Sequence, residues 1–296
     1  MFHIISDSSC DFSNEEAVHH DITVVPLYVS FDHVNYLREG IDISKEEYFK
    51  RLMSEKGVFP KTSQPSPQDY ADVFMPPLRD GKDIICMTIS SQLSGSYASA
   101  VLAADMVKEE FPERTIIVID SMNVSLGHGL ILRELINMRN AGLLTQEAAQ
   151  MIETVRASAR VYFTLETLEY LKRGGRVGPT TALVGNILGL RPVLQIEDGQ
   201  VKPLDNVRGK KRVFQLIEDA LVYTLKDETQ NINLVVAHIQ NADDAMMLKQ
   251  NIEHALGVTY TQSVTEIGVT VGAHAGPGAL GLAYCKTYEA IVRENA

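Results

Sequence analysis

The sequence is short of cysteine, and the cysteines it has are not grouped. Cys10, Cys86 and Cys285 lie too far apart for a Cys-x-x-Cys metal or redox site. Two of them fall in apolar, strand-like runs and read as buried packing thiols in a reducing, cytoplasmic compartment. Positive charge is scarce as well: Lys and Arg total 27 against 38 Asp and Glu, a net charge of −11. That excess repels phosphate backbones and argues against non-specific nucleic-acid binding.

Nucleotide, metal and nucleophile signatures are missing too. There is no G-x-x-x-x-G-K-[ST] loop, no H-E-x-x-H and no G-x-S-x-G elbow. The eight histidines form no ligand-spaced cluster, and the adjacent His19 and His20 read as an exposed helix end. Gly276 to Gly281 matches G-x-G-x-x-G in letters, without room for the βαβ unit and downstream acid that a dinucleotide site needs. The opening residues carry no basic stretch and meet an acid at Asp7, unlike a secretory signal. Ile267 to Cys285 holds no charged residue and is nearly long enough to cross a bilayer. Its Gly276-Pro277-Gly278 core would break a helix, so no transmembrane segment is expected.

What is present is an ordinary globular composition. Of 296 residues, 45% are hydrophobic and 22% charged, enough for one large core or two smaller ones. In the first half, Phe2–Ser6, Val24–Phe31, Ile84–Ile89 and Thr115–Asp120 read as apolar strands. Between and after them come helices opened by Ser44 with Glu47 and by Ser66 with Pro67, and others over 127–140 and 146–159. This alternation predicts a parallel sheet covered on both faces. Later, Asp198-Gly199 between two apolar runs predicts a hairpin, with helices over 213–225 and 242–256 and strands over 233–239 and 259–267. The expected architecture is α/β in two domains: a parallel α/β domain over 1–159 and an α+β domain with a mixed or antiparallel sheet over 160–296. The segment 57–68 is expected to pack with the second domain.

Three polar segments interrupt these apolar elements: Lys61–Pro67, Ser91–Tyr97 and Gly272–Gly278. Ligands of parallel sheets bind beyond the strands' carboxyl ends, where a helix N-terminus offers free N–H donors. Ser94 and Gly95 would supply a hydroxyl and an amide there, or Ser94 simply caps the helix. Thr62 and Ser63 could equally satisfy their own turn. His274 sits among glycines that allow close approach. Basic residues cluster around Arg176 and Arg208, as solvated charge or as contacts for a phosphate or acidic partner.

Taken in order, these segments resemble the DegV family. The resemblance runs from Ile4-Ile5-Ser6-Asp7-Ser8 through Thr62–Ser66, Ser90–Tyr97, Leu171–Arg176 and Arg208–Lys211 to Gly272–Gly278. It implies two α/β domains with a buried acyl tunnel, whose fatty-acid carboxylate is held by Thr62 or Ser63, by Ser94 with the Gly95 amide, and by His274. In fatty acid kinase systems such members, called FakB, present the acid to a separate ATP-dependent kinase subunit. The acyl-phosphate so formed feeds phospholipid synthesis. The resemblance therefore implies a lipid-binding subunit with no catalysis, cofactor or metal of its own, and makes Arg176 and Arg208 candidates for partner contact. Phe163, Ile187 and Leu190 are candidates for the tunnel wall. Two alternatives stand beside it: a lipid carrier or regulator without kinase coupling, and an acyl hydrolase using Ser94 and His274.

Overall fold

The computed structural model describes residues 2–55, 57–178, 190–225, 228–260 and 262–294; Ile187 lies outside them. The chain opens with β1 (Phe2–Asp7), α1 (Asn14–His19), β2 (Ile22–Val25), β3 (Tyr28–Ser30), β4 (Leu37–Arg38), α2 (Lys45–Ser54) and β5 (Lys61–Ser63). It continues through α3 (Pro67–Arg79), β6 (Asp83–Thr88), α4 (Ser96–Lys108), β7 (Ile116–Asp120), α5 (Leu126–Asn140) and α6 (Thr145–Ser158). Next come β8 (Arg160–Thr164), α7 (Glu169–Gly174), β9 (Leu190–Glu197), β10 (Gln200–Arg208) and α8 (Lys210–Leu225). The described residues end with β11 (Ile232–His238), α9 (Ala242–Leu256), β12 (Thr265–Glu266), α10 (Val269–Ala275), β13 (Leu280–Lys286) and α11 (Tyr288–Glu294).

The first sheet is four-stranded and parallel, in the order β2-β1-β6-β7. The second has six strands in the order β10-β9-β8-β13-β11-β12, antiparallel except for the β11–β12 pair. A small antiparallel sheet, β4-β3-β5, packs against α10. Three cores separate the layers. Helices α3 and α4 cover one face of the first sheet, through Tyr70, Phe74, Ala100 and Ala103 against Ile5, Ile84 and Cys86. Helices α8 and α9 cover the outer face of the second sheet, where Ile217, Leu221 and Leu248 meet Leu234, Val236 and Leu282. Between the sheets lies the largest core, with α5 touching β1 on one side and β11 and β13 on the other. Period-two alternation explains the division of β8: Val161 faces the central core and Tyr162 the outer one.

Helix starts follow their caps. Ser66 accepts from Asp69 N while Asp69 reaches back to the Ser66 amide, a full capping box; Ser44 makes only its half, accepting from Glu47 N. At the β9–β10 hairpin, Asp198 (φ 52) and Gly199 (φ 74) both take left-handed backbone, the requirement of a tight two-residue turn. All three cysteines are free and buried.

Two expected strands are corrected. Val24–Phe31 is not one strand but two, β2 and β3, in different sheets. Pro26 sits at the break, where it can donate no ladder hydrogen bond. The run 259–267 shrinks to β12. The glycine-rich tail is more regular than a loop: it is helical up to Ala275, turns at Gly276 (φ 76) and re-enters the second sheet as β13. Helix α10 stops just short of Pro277. No helix among the described residues is long and apolar enough to cross a membrane.

Candidate functional site

The parallel sheet reverses its direction of growth between β1 and β6, and such switch points leave a crevice at the strands' carboxyl ends. Asp7, at the end of β1, joins the two strands there: its carboxylate accepts Ile89 N at 2.8 Å and the Ser9 hydroxyl at 2.5 Å. Burial pushes the Asp7 carboxyl up to about 6. The adjoining His128 is wholly buried and held down to about 3 by burial, so it is a neutral ring between the Ser6 and Ser9 hydroxyls.

Beyond this crevice a cavity runs between the two sheets. Its walls are mostly aliphatic: Leu27 and Ile89 from the first half, Val161 and Phe163 from β8, Ile196 and Val201 from the hairpin, and Ala279 before β13. Polar groups gather on it from three separate elements: Thr62 and Ser63 on β5 with Gln64 after them, Ser94 after β6, and His274 with Thr270 on α10. Of the expected site residues, Thr62, Ser63, Ser94 and His274 thus line one cavity.

His274 Nε2 lies 2.8 Å from Thr62 Oγ1. Its Nδ1 is sealed from solvent with no hydrogen-bond partner among the described residues. The ring lies on Gly174, the last residue of α7, where any Cβ would overlap Nδ1. Burial, and then the nearby Arg176 guanidinium, pull His274 down to about 4, so the ring is neutral near pH 7. Ser94 exchanges a hydrogen bond with Ser96 Oγ at 2.9 Å and accepts from Ser96 N. Gly95 precedes α4 and is not on the cavity wall; it is covered by the Gln64 side chain, which would collide with a Cβ there and which donates to Ser99 Oγ at 3.1 Å.

The basic candidates separate. Arg176 lines the cavity, donating to Leu93 O at 3.0 Å and Gly174 O at 2.6 Å. Arg208 ends β10, exposed and off the cavity wall. Phe163 is a wall residue, whereas Leu190 begins β9 outside it. Gln64 and Thr270 are lining residues not singled out from the sequence. For Thr270 a signal existed: Thr270, Val271, His274 and Ala275 repeat with a helical period, masked by the glycines.

A mostly aliphatic cavity that also presents hydroxyls, an imidazole and a guanidinium suits a long apolar molecule with one anionic or polar head. A profile of the family described as "Uncharacterised protein, DegV family" matches residues 1–287. The chain belongs to the DegV family. A DegV domain-containing protein of Clostridium acetobutylicum is 32% identical over 288 residues, 96% of this chain and 98% of the relative. One from Deinococcus radiodurans is 32% identical over 95% of this chain and 96% of its own length. Among solved structures, a fatty acid (stearic acid)-binding protein from Eubacterium ventriosum superposes with a TM-score of 0.92 at 34% identity, covering 98% of this chain and 99% of the other. A Thermus thermophilus DegV protein described by its fatty acid binding gives 0.86 at 31%, covering 96% and 99%. The two-domain α/β architecture of this DegV protein is therefore that of its solved relatives.

Proposed function

We propose that this DegV protein binds a long-chain fatty acid, with the tail among the aliphatic walls and the carboxylate at Thr62, Ser63, Ser94 and His274. The observation that carries this reading is the convergence of β5, the Ser94 loop and α10 on the polar part of one apolar cavity. The fatty-acid binding described for the Eubacterium and Thermus proteins supports it. Each buried CH₂ contributes about 0.8 kcal/mol, so the walls supply affinity and the head group sets direction. A carboxylate leaving water needs several donors. With Nδ1 sealed away from any acceptor, the proton of the neutral imidazole belongs on Nε2, donating to Thr62 Oγ1 and leaving the Thr62 O–H to turn toward the ligand.

The finer proposal is that the bound acid is offered to a separate ATP-dependent kinase subunit, the DegV protein acting in the cytoplasm without a cofactor of its own. The lack of any phosphate-binding loop motif in the sequence and the exposed Arg208 favour this division of labour. The hydrolase alternative would need Ser94 on His274. The imidazole is instead bonded to Thr62, and Ser94 to Ser96. To test the proposal, Arg208→Glu is compared with the native chain for stearic acid binding and for acyl-phosphate formation with a fatty acid kinase subunit. Retained binding with lost acyl-phosphate supports kinase coupling through Arg208. Native protein that binds the acid yet yields no acyl-phosphate would instead favour a carrier without a kinase.

A further inference from the structure

Helix α10 carries His274 near its carboxyl end, and its other end is gripped by two carboxylates from the opposite part of the chain. Asp11 Oδ1 accepts Gly268 N at 2.9 Å, while its other oxygen takes the Ser125 hydroxyl. Glu39 accepts Val269 N on one oxygen; on the other it accepts the Thr270 hydroxyl at 2.6 Å and the Ser8 hydroxyl at 2.8 Å. Both acids are 8% exposed. Lys45 closes the arrangement, donating to Glu266 O at 2.8 Å beside the start of the helix. Gly268 is shaped for the grip: a Cβ there would stand 2.6 Å from Glu39 Oε1 and 2.7 Å from Asp11 Oδ1.

We propose that Asp11 and Glu39 are positioning residues for the head-group site, fixing the tilt and rotation of α10 so that His274 meets Thr62. The inference rests on the fatty-acid reading above. Burying two carboxylates is costly against an apolar contact, which would hold the helix but leave its rotation soft. Three directed bonds, from Gly268 N, Val269 N and the Thr270 hydroxyl, remove that softness. His274 lies about 7.5 Å along the axis from Val269, so a released amino end swings the imbalance directly into the imidazole. The same grip touches the cavity wall itself, because Ser125 and Thr270 line it, and Leu27, another wall residue, donates its amide to Ser8 Oγ at 3.0 Å.

The test compares dissociation constants for stearic acid and for stearyl alcohol, which keeps the tail and lacks the carboxylate. In the native protein the acid binds more tightly than the alcohol. Glu39→Ala reduces that preference about tenfold, the equivalent of one charge-assisted hydrogen bond, with the alcohol nearly unaffected. Glu39→Gln keeps an acceptor for Val269 N and restores part of the preference. If Glu39→Ala does not fold, Asp11→Asn serves instead, since asparagine tolerates the left-handed backbone at Asp11 (φ 62), and a loss of preference of about threefold is expected. Acid and alcohol weakening together, or an unchanged preference in folded variants, overturns the positioning role. A native protein with no preference for the acid overturns the reading of the site beneath it.

Discussion

Gly174→Ala should unseat His274 while leaving α7 intact. Gly174 closes that helix without a left-handed backbone, so alanine fits the local conformation and even favours it by up to about 1 kcal/mol. The added methyl group overlaps Nδ1 of His274, and the ring must leave Thr62 to make room. Crowding of this kind costs about 1–3 kcal/mol in stability, partly offset by the helix gain. The larger effect falls on the ligand. A displaced ring no longer orients the Thr62 hydroxyl, and losing that charge-assisted contact to a carboxylate removes about 1.5–3 kcal/mol, which is about 10- to 150-fold in affinity. Calorimetric titration with stearic acid reads the loss, and thermal melting checks the fold. Because both changes act through one ring, Gly174→Ala added to His274→Ala should cost little more than His274→Ala alone. Native affinity in Gly174→Ala, or fully additive losses in the double variant, would refute the proposed seat.

Removing the Ser94 donor together with the imidazole that orients the Thr62 hydroxyl, in Ser94→Ala with His274→Ala, should weaken stearic acid by about 3–6 kcal/mol while stearyl alcohol changes far less; equal retention of the acid in a binding assay would count against the site. Filling the cavity with Ala279→Leu should cost about 2 kcal/mol for a long acyl chain and much less for a short one, read from a chain-length series. The Asp7 carboxyl has a folded-state pKa near 6 against an ordinary 3.8. The folded state therefore holds its proton more strongly, giving stability that is full below pH 3.8 and lost as pH rises through 6. Relative to Asp7→Asn, native stability should fall by up to about 3 kcal/mol between pH 4 and pH 7 in denaturant titrations, and a flat difference would contradict the burial argument.

The elements legible in the sequence are those whose signal is local. Strands β1, β6 and β7 are short apolar runs with clear ends, and the β9–β10 hairpin announces itself through Asp198-Gly199. What local pattern could not reveal depends on distant partners. Strand β13 contains Gly281, which would ordinarily weaken a strand; here it faces Phe163 across the sheet, and a Cβ would lie 2.7 Å from the Phe163 Cβ. Helix α10 is short, glycine-bearing and stabilised from its amino end by Asp11 and Glu39, residues more than two hundred positions away. The site shows the same split. Thr62, Ser63, Ser94 and His274 stand out as polar residues at the edges of apolar elements, and they meet on one cavity. That Gly174 is the floor beneath His274, that Gln64 covers Gly95, and that Arg176 turns inward to Leu93 and Gly174 are facts of packing with no sequence spacing behind them.

The central claim is that the cavity between the sheets holds a fatty acid. Its most direct test is mass spectrometry of the purified chain after denaturing organic extraction. The account predicts a co-purified fatty acid at close to one per chain, or its uptake at that ratio on incubation with stearic acid. A chain that carries none and takes up none across a range of acyl lengths would contradict it, and would turn the search toward another small anion for the Thr62, Ser94 and His274 groups.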